Sequence, residues 1–269
     1  MALSWSYNKK KGIGTETVVH GQRWGAMYSG YFSDPATAGP LVKTIKNILV
    51  KSPADVVVDL GGGTGFLLSQ LRAQGIGADT ALVNIDCSDA QLALSNKENI
   101  SSVCTSVDKF RRSDVASKDG RVLFMMRSVL HYFGEDGLSP LLCYLRSQAK
   151  AGEFFVHQTA SFDNEEEAVC LNALYRHMRT NKWYPTVKDL QRHMTDSRWR
   201  VTDTTPARSL LLTSDELGQR YALNTSDIAY IRDIMAKEFG VMKDVFRLMP
   251  SGFQANLHYR IYTCEAVSA

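Results

Sequence analysis

Apolar positions follow two different periods along the first 160 residues. Short apolar runs, several of them β-branched, are typical of strands buried on both faces of a parallel sheet. Five such runs occur, at residues 56–58, 81–85, 101–107, 122–126 and 153–156. Between them, apolar residues recur three or four positions apart and predict helices, for example over residues 37–49. Strands that alternate with helices at this spacing predict a mostly parallel sheet with helices on both faces.

Residues typical of helix starts support this order of elements. Ser88, followed three residues later by Gln91, has the spacing of a capping box after the second strand. Ser139 before Pro140 predicts the start of the helix that leads to the fifth strand.

The pattern changes after residue 161. Residues 163–195 are charged and predict helix, and residues 199–204 predict a sixth strand. Residues 253–261 alternate apolar and polar side chains, which is typical of a half-exposed antiparallel strand. We therefore predict one α/β domain over residues 37–269, with seven strands, an antiparallel last strand and helical insertions near 162–195 and 205–251.

Composition and charge exclude several classes of protein. The 269 residues are 44% hydrophobic and 22% charged, as in ordinary folded domains, and the formal net charge of +3 is too small for a general nucleic-acid binder. The five cysteines contain no C-x-x-C pair, so we expect neither a zinc ribbon nor a disulfide framework. The N-terminus lacks the apolar stretch of a signal peptide, and no apolar run approaches the ~20 residues that span a membrane. We expect a cytoplasmic protein without a metal site or membrane contact.

The most informative stretch follows the first predicted strand and reads Asp59-Leu60-Gly61-Gly62-Gly63-Thr64-Gly65-Phe66. A glycine-rich turn between a strand and a helix lets the backbone approach a ligand where a Cβ would collide. Dinucleotide-binding loops place glycine where Phe66 stands, which argues against a nicotinamide dehydrogenase. The Asp59 carboxylate would repel a pyrophosphate, but it suits a ligand that carries an ammonium group.

The pattern D-x-G-x-G-x-G of residues 59–65 resembles the first motif of the class I S-adenosylmethionine-dependent methyltransferases. Further matches follow in the family's order: Asp86 after the second strand, Asp108 after the third, Arg127 to Tyr132 after the fourth, and Ala151-Gly152-Glu153 before the fifth. The resemblance covers residues 37–160 well and residues 185–264 loosely. It departs from the commonest pattern at Ser106, where the family has glycine, and in the length of residues 205–251.

The resemblance implies S-adenosylmethionine as the cofactor, with Asp86 on the ribose hydroxyls and Asp108 near the adenine. The residues that it implies for cofactor binding are Asp59, Gly61, Gly63, Thr64, Gly65, Asp86, Cys87, Asp108 and Arg127. Other roles remain open for single residues, since Asp86 alone suits the flank of a helix and Asp108 suits a solvated loop.

The sequence favours a small-molecule acceptor, methylated on an oxygen or nitrogen atom. His157, placed by the predicted boundary at the carboxyl end of the fifth strand, is the first candidate for a general base, with Tyr28 and Tyr31 as alternatives. Residues 176–200 carry seven basic side chains against two acidic ones. They form either a solvated helical face or a patch that recognises an anionic acceptor.

Two other functions are weighed against this one. A nucleic-acid methyltransferase would carry an N-P-P-Y or D-P-P-Y tetrapeptide after the fourth strand, where this chain has Arg127-Ser128-Val129-Leu130. A non-catalytic scaffold would not need the acid and the glycines. The sequence leaves open whether the protein is a monomer or a homodimer.

Residues 1–36 precede the predicted domain and contain aromatic residues between glycines. Trp24, Tyr28, Tyr31 and Phe32 share one helical face, while Gly21, Gly25 and Gly30 permit movement. A methyltransferase must admit its cofactor and then exclude water, so we predict that this segment is a lid over the cofactor.

Overall fold

The computed structural model describes residues 28–76, 78–95, 99–242 and 244–268. Ten strands lie in this part of the chain. They are β1 (Val56–Leu60), β2 (Ala81–Asp86), β3 (Ile100–Cys104), β4 (Val122–Arg127), β5 (Phe154–Ala160), β6 (Trp199–Pro206), β7 (Leu210–Thr213), β8 (Phe246–Met249), β9 (Gly252–Leu257) and β10 (Tyr259–Ala266). Seven form a sheet in the order β3-β2-β1-β4-β5-β10-β6, in which β10 alone is antiparallel to its neighbours. This sheet confirms the predicted fold class.

Eight α-helices accompany the strands in the described ranges. They are α1 (Pro35–Lys51), α2 (Phe66–Ala73), α3 (Asp89–Leu94), α4 (Gly134–Gln148), α5 (Glu165–His177), α6 (Val187–Asp196), α7 (Ser214–Tyr221) and α8 (Thr225–Phe239). Three 3₁₀ helices are also present, at Tyr28–Ser33, Arg112–Asp114 and Leu130–Phe133. Within these ranges, no helix is both long and apolar enough to cross a bilayer.

Helices cover both faces of the seven-stranded sheet, because neighbouring strand residues point to opposite sides. Val57 of β1 belongs to the core that contains Leu41 of α1 and Leu68 of α2. Val58, the next residue, belongs to the core on the other face, with Leu141 of α4. All five residues of β1 are buried as a result, which explains its continuous apolar run.

A second, antiparallel sheet of order β7-β9-β8 packs with α5, α7 and α8. Its core includes Leu212, Phe253 and Leu174, and it also includes Ala160 at the carboxyl end of β5. Because β1, β2, β4 and β5 are parallel, their carboxyl ends share the sheet edge at which this layer stands. Residues 205–251, predicted as a helical insertion, contain two strands as well as two helices.

The prediction of one strand over residues 253–261 is wrong in one respect. The alternate residues from Phe253 to Ile261 are buried as expected. However, the chain leaves the ladder at His258, so the first half is β9 of the small sheet and the second half begins β10 of the large one. Alternation of apolar and polar residues predicts which side chains are buried, but it does not predict which strand pairs with the segment.

Two predicted helix boundaries are also wrong. Helix α4 begins at Gly134, directly after a 3₁₀ helix, and not at Ser139. Glu135 and Asp136 stand in its first turn, where their charges favour a helix N-terminus, and Pro140 is accommodated inside the helix. The helical pattern of residues 163–195 divides into α5 and α6, with nine non-helical residues (178–186) between them.

Candidate active site

The loop between β1 and α2 is built on left-handed glycines. Gly61, Gly63 and Gly65 have φ angles of +75°, +56° and +73°, which residues with a side chain rarely adopt. The alternate spacing in the sequence therefore follows from the backbone of the loop. Gly65 caps α2, where a Cβ would lie 2.7 Å from the Ser95 hydroxyl oxygen, so its role is close packing and not contact with the cavity.

A cavity of about 180 Å³ lies against this loop, at the carboxyl ends of β1, β2 and β4. The predicted site residues in its wall are Asp59, Gly61, Gly63, Thr64, Asp86, Cys87 and Arg127. The fold thus brings together most of the residues that were assigned to cofactor binding from the sequence.

Asp59 is the most unusual group in the wall. It is 1% exposed, and neither of its carboxylate oxygens has a hydrogen-bond partner among the described residues. Burial raises the pKa of Asp59 to about 7; the charge of Asp86 acts in the same direction and that of Arg127 opposes it. A buried carboxylate without donors costs free energy, which a cationic ligand with N–H donors would recover.

Asp86 closes β2, as predicted, and its carboxylate is fixed by the backbone. One oxygen accepts the N–H of Gly63 at 2.9 Å and the other accepts the N–H of Ser88 at 2.9 Å. Burial raises the pKa of Asp86, while these backbone donors lower it. Each oxygen keeps a second lone pair that can accept a hydrogen bond from a ligand hydroxyl.

Arg127, the last residue of β4, places its guanidinium close to two aromatic rings. The Cζ atom lies 5.5 Å from the ring centroid of Phe32 and 5.5 Å from that of Phe66. Burial lowers the pKa of Arg127, and the nearby carboxylate of Asp59 opposes this shift. The cavity therefore holds two acids and one base that are fixed on three neighbouring strands.

Asp108 does not reach the wall of the cavity. Its Oδ1 atom accepts a hydrogen bond from the Ser106 hydroxyl, and Ser106 and Val107 line the cavity in its place. On the side of β3, the wall of the cavity is therefore formed by Ser106 and Val107, and Asp108 is not part of it.

The structure does not bring the candidate bases to the cavity. His157 is fully buried in the middle of β5, because that strand continues to Ala160. Its ring stacks on Tyr262, its Nδ1 lies 2.7 Å from the Thr159 hydroxyl, and burial lowers its pKa to about 3. A neutral histidine without access to the cavity cannot receive a proton from an acceptor there.

Tyr31 is likewise buried, at 6% exposure, and absent from the cavity wall. Its hydroxyl donates to the carbonyl of Arg208, its ring packs against Tyr259, and burial raises its pKa. The side chain of Tyr28 and residues 1–27 of the predicted lid lie outside the described residues. Two other residues of the predicted lid segment do line the cavity. They are Phe32 and Ser33, the last two residues of the 3₁₀ helix Tyr28–Ser33.

Tyr132 is a cavity residue that the sequence did not single out. Its hydroxyl oxygen accepts a hydrogen bond of 2.9 Å from the Arg220 guanidinium, and the ammonium nitrogen of Lys182 lies 4.5 Å from its ring centroid. Lys182 also bonds the Tyr221 hydroxyl at 2.7 Å. Lys182 was counted in the basic stretch of residues 176–200, yet it is 7% exposed and faces aromatic rings.

Two further residues of that basic stretch are paired with acidic side chains. Arg192 pairs with Asp189 at 3.3 Å, and Arg200 pairs with Glu265 at 2.6 Å. Among the residues that the structure describes, no group of three or more histidine, cysteine or acidic side chains is arranged to hold a metal ion.

Comparison with known proteins supports the fold. No protein-family model and no curated protein matches the sequence. A Bacillus halodurans C-125 protein of known structure superposes with a TM-score of 0.65 at 9% identity, over 84% of this chain and 99% of its own. The 1,6-didemethyltoxoflavin-N1-methyltransferase of Burkholderia thailandensis, solved with its substrate and S-adenosylhomocysteine, has a TM-score of 0.54 at 13% identity, over 100% and 94%. The geranyl diphosphate C-methyltransferase of Streptomyces coelicolor A3(2) superposes with a TM-score of 0.51 at 14% identity, over 85% of this chain and 79% of its own.

These similarities, together with the strand order and the loop after β1, define the class of fold. The described chain has the fold of the class I S-adenosylmethionine-dependent methyltransferases. At identities of 9–14%, the comparisons establish the architecture, and the chemistry has to be argued from the site.

Several wall residues were not among the site residues predicted from the sequence. They are Phe32, Phe66, Ser106, Val129, Tyr132 and Phe133. Their contact with the cavity depends on how three separate loops and a 3₁₀ helix come together. The periodicity of apolar residues in the sequence does not predict this arrangement. Phe66 had one usable clue, since it directly follows the glycine loop.

Proposed function

We propose that this protein binds S-adenosylmethionine and transfers its methyl group to an oxygen or nitrogen atom of a small molecule. The observation that carries the proposal is the buried carboxylate of Asp59, which has no hydrogen-bond partner in the described part of the chain and stands in a cavity beside the glycine loop. The methionine part of the cofactor carries an ammonium group, which supplies the N–H donors that Asp59 lacks. When bound, S-adenosylmethionine supplies an electrophilic methyl group on a sulfonium.

The residues of the wall bind and orient the cofactor in this proposal. Asp59 holds the ammonium group, and the free lone pairs of Asp86 accept the ribose hydroxyls. Gly61 has no room for a side chain in this loop, since a Cβ there would lie 2.6 Å from a methyl carbon of Val129. Ser106 and Val107 stand on the side of the cavity next to β3, where they contact the adenine.

Tyr132 and Phe133 form the acceptor side of the cavity in the same proposal. Apolar and aromatic walls exclude water from a transfer that depends mainly on positioning. Tyr132 offers the polar group there, held by Arg220. Tyr132 therefore replaces His157 and Tyr31 as the candidate residue that contacts the acceptor. The neighbouring cations Arg220 and Lys182 suit an acceptor with an anionic group. The expected location of the protein is the cytoplasm.

Calorimetric titration tests the proposal directly. We expect saturable binding of S-adenosylhomocysteine with a micromolar dissociation constant and no measurable binding of NAD. In a second measurement, cofactor labelled in its methyl group is incubated with either a small-metabolite extract or total RNA. Label should appear in the small-molecule fraction. Label that accumulates in RNA with turnover would show that the acceptor is a nucleic acid. Binding of NAD without binding of S-adenosylhomocysteine would reject the proposed function.

We predict a specific loss when Asp86 is replaced. The substitution Asp86→Ala should weaken S-adenosylhomocysteine binding about 10- to 100-fold, because hydrogen bonds to a charged group contribute about 1.5–3 kcal/mol each. Asp108→Ala is the matched control, since its carboxylate lies behind Ser106, and we expect less than a threefold change. Equal losses in the two variants, or none for Asp86→Ala, would assign the ribose to another residue. Circular dichroism checks that both variants fold.

A further inference from the structure

The Arg127 guanidinium stands in the wall of the cavity, with one terminal nitrogen hydrogen-bonded and the other without a partner among the described residues. Its Nη2 atom donates to the carbonyl of Phe32, in the 3₁₀ helix Tyr28–Ser33. Its Nη1 atom is buried and has no hydrogen-bond partner among the described residues. The rings of Phe32 and Phe66 both contact the group, with their centroids 5.5 Å from its Cζ atom.

A planar guanidinium presents donors in a fixed fork that matches a carboxylate. A buried N–H that is left without an acceptor is costly, so Nη1 indicates that a ligand atom belongs beside it. The same cavity contains the Asp59 carboxylate, which also lacks hydrogen-bond partners. The charges of Asp59 and Arg127 interact, yet no hydrogen bond joins them. Two unsatisfied groups of opposite charge in one wall form a receptor for a zwitterion.

We propose that Arg127 receives the carboxylate of the cofactor's methionine part and, through the carbonyl of Phe32, fastens the 3₁₀ helix Tyr28–Ser33 over that end of the cavity. This inference rests on the proposed function and extends it. One guanidinium then bridges ligand and helix, so occupancy of the amino-acid subsite stabilises the helix. Phe32 and Ser33 already line the cavity, and the helix is held on its far side by the hydroxyl of Tyr31, which donates to the carbonyl of Arg208.

The inference distinguishes ligands that have an amino-acid end from ligands that lack one. S-adenosylhomocysteine carries both charges, whereas 5′-methylthioadenosine keeps the adenosine and the thioether and has neither charge. If Arg127 served only as a structural staple for the helix, its replacement would weaken both ligands equally. If it binds the carboxylate, the loss falls on S-adenosylhomocysteine.

The experiment titrates both ligands into the full chain and three variants. We expect Arg127→Gln to weaken S-adenosylhomocysteine about 30-fold and 5′-methylthioadenosine less than threefold. Arg127→Lys keeps the charge without the fork and should lose about 5- to 10-fold for the first ligand only. Arg121→Gln is the matched control, because Arg121 directly precedes the other end of β4 and is exposed; it should change neither constant. Equal losses for both ligands in Arg127→Gln would overturn the inference.

Hydrogen exchange of the backbone amides of residues 28–34 gives a readout that does not depend on the variants. In the wild-type chain, saturating S-adenosylhomocysteine should slow exchange there at least fivefold, and saturating 5′-methylthioadenosine should leave it unchanged. The same protection by both ligands would overturn the coupling, even if Arg127→Gln failed to fold. If the wild-type chain binds 5′-methylthioadenosine as tightly as S-adenosylhomocysteine, the carboxylate contact is wrong, while the proposed function is not affected. A chain that binds neither ligand would reject the proposed function itself.

Discussion

Replacing Asp59 with asparagine is expected to abolish cofactor binding and, at the same time, to stabilise the ligand-free protein. The variant loses the charge that pairs with the ligand ammonium, so S-adenosylhomocysteine should bind at least ~100-fold more weakly at pH 8. The free energy of unfolding without ligand should rise by about 2–4 kcal/mol at that pH. This follows because burial raises the pKa of Asp59 to about 7, and one pKa unit corresponds to about 1.36 kcal/mol.

The sign of the pH dependence follows from the same shift. In the unfolded chain Asp59 loses its proton near pH 4, whereas in the folded, ligand-free protein it keeps the proton until about pH 7. Between these values the folded state binds more protons, so this residue lowers the stability as pH rises. A ligand cation requires the ionised carboxylate. Affinity for S-adenosylhomocysteine should therefore fall below pH 7, by up to about tenfold per pH unit.

Calorimetry from pH 5.5 to 8.5 and urea denaturation over the same range measure both effects. Asp59→Asn should show neither the affinity gain with pH nor the stability loss. Asp108→Asn controls for the removal of any acid near the loop and should keep the wild-type pH profile. Tight binding by Asp59→Asn, or a wild-type affinity independent of pH, would contradict the assignment of the ammonium to Asp59.

The central sheet was predictable because its signals are local. A run such as residues 56–58 identifies a strand buried on both faces, and glycines at alternate positions identify a loop whose backbone is left-handed. Asp59 and Asp86 could be placed from the sequence, since each stands beside such a loop or strand end. The parallel order of the strands then brings them to one edge without further information.

The remainder depends on contacts between distant parts of the chain. His157 was placed at a strand end from a predicted boundary at residue 156, and four more strand residues put it in the interior. The residues of β9 pair with β7 and β8, while those of β10 pair with β5 and β6, and nothing in their common alternation separates the two sheets. Tyr132 enters the site only because a 3₁₀ helix follows β4.

The groups that make the cavity a binding site also make it costly when empty. Asp59 is buried and Arg127 is half-buried, and both have buried polar atoms without partners in the described chain. Two such groups on adjacent strands lower stability without ligand, since desolvation exceeds what their mutual attraction returns. The same two groups give the site its preference for a ligand that carries both charges.

The second large effect is expected for Gly62→Ala. Gly62 needs no unusual backbone, but a Cβ there would lie 2.3 Å from Asn84 Oδ1 and 2.5 Å from Asp59 Oδ2. Asn84 and Asp59 are 0% and 1% exposed, so neither can move away into solvent. The added methyl should displace the Asp59 carboxylate, weaken S-adenosylhomocysteine at least ~50-fold and destabilise the fold by about 1–3 kcal/mol.

Gly39→Ala is the matched control for the added methyl group. Gly39 lies inside α1, directly before Pro40, and a Cβ there would meet no atom within 4 Å. The gain in helix propensity is opposed by the restriction that proline places on a preceding residue with a Cβ, so the same substitution should change the stability by less than about 1 kcal/mol and leave the dissociation constant unchanged. Urea denaturation and calorimetry of the two variants separate the steric effect from the general effect of replacing glycine. Binding by Gly62→Ala within twofold of wild type would show that the ligand does not depend on the position of Asp59, because the methyl group and that carboxylate cannot both occupy the space they share.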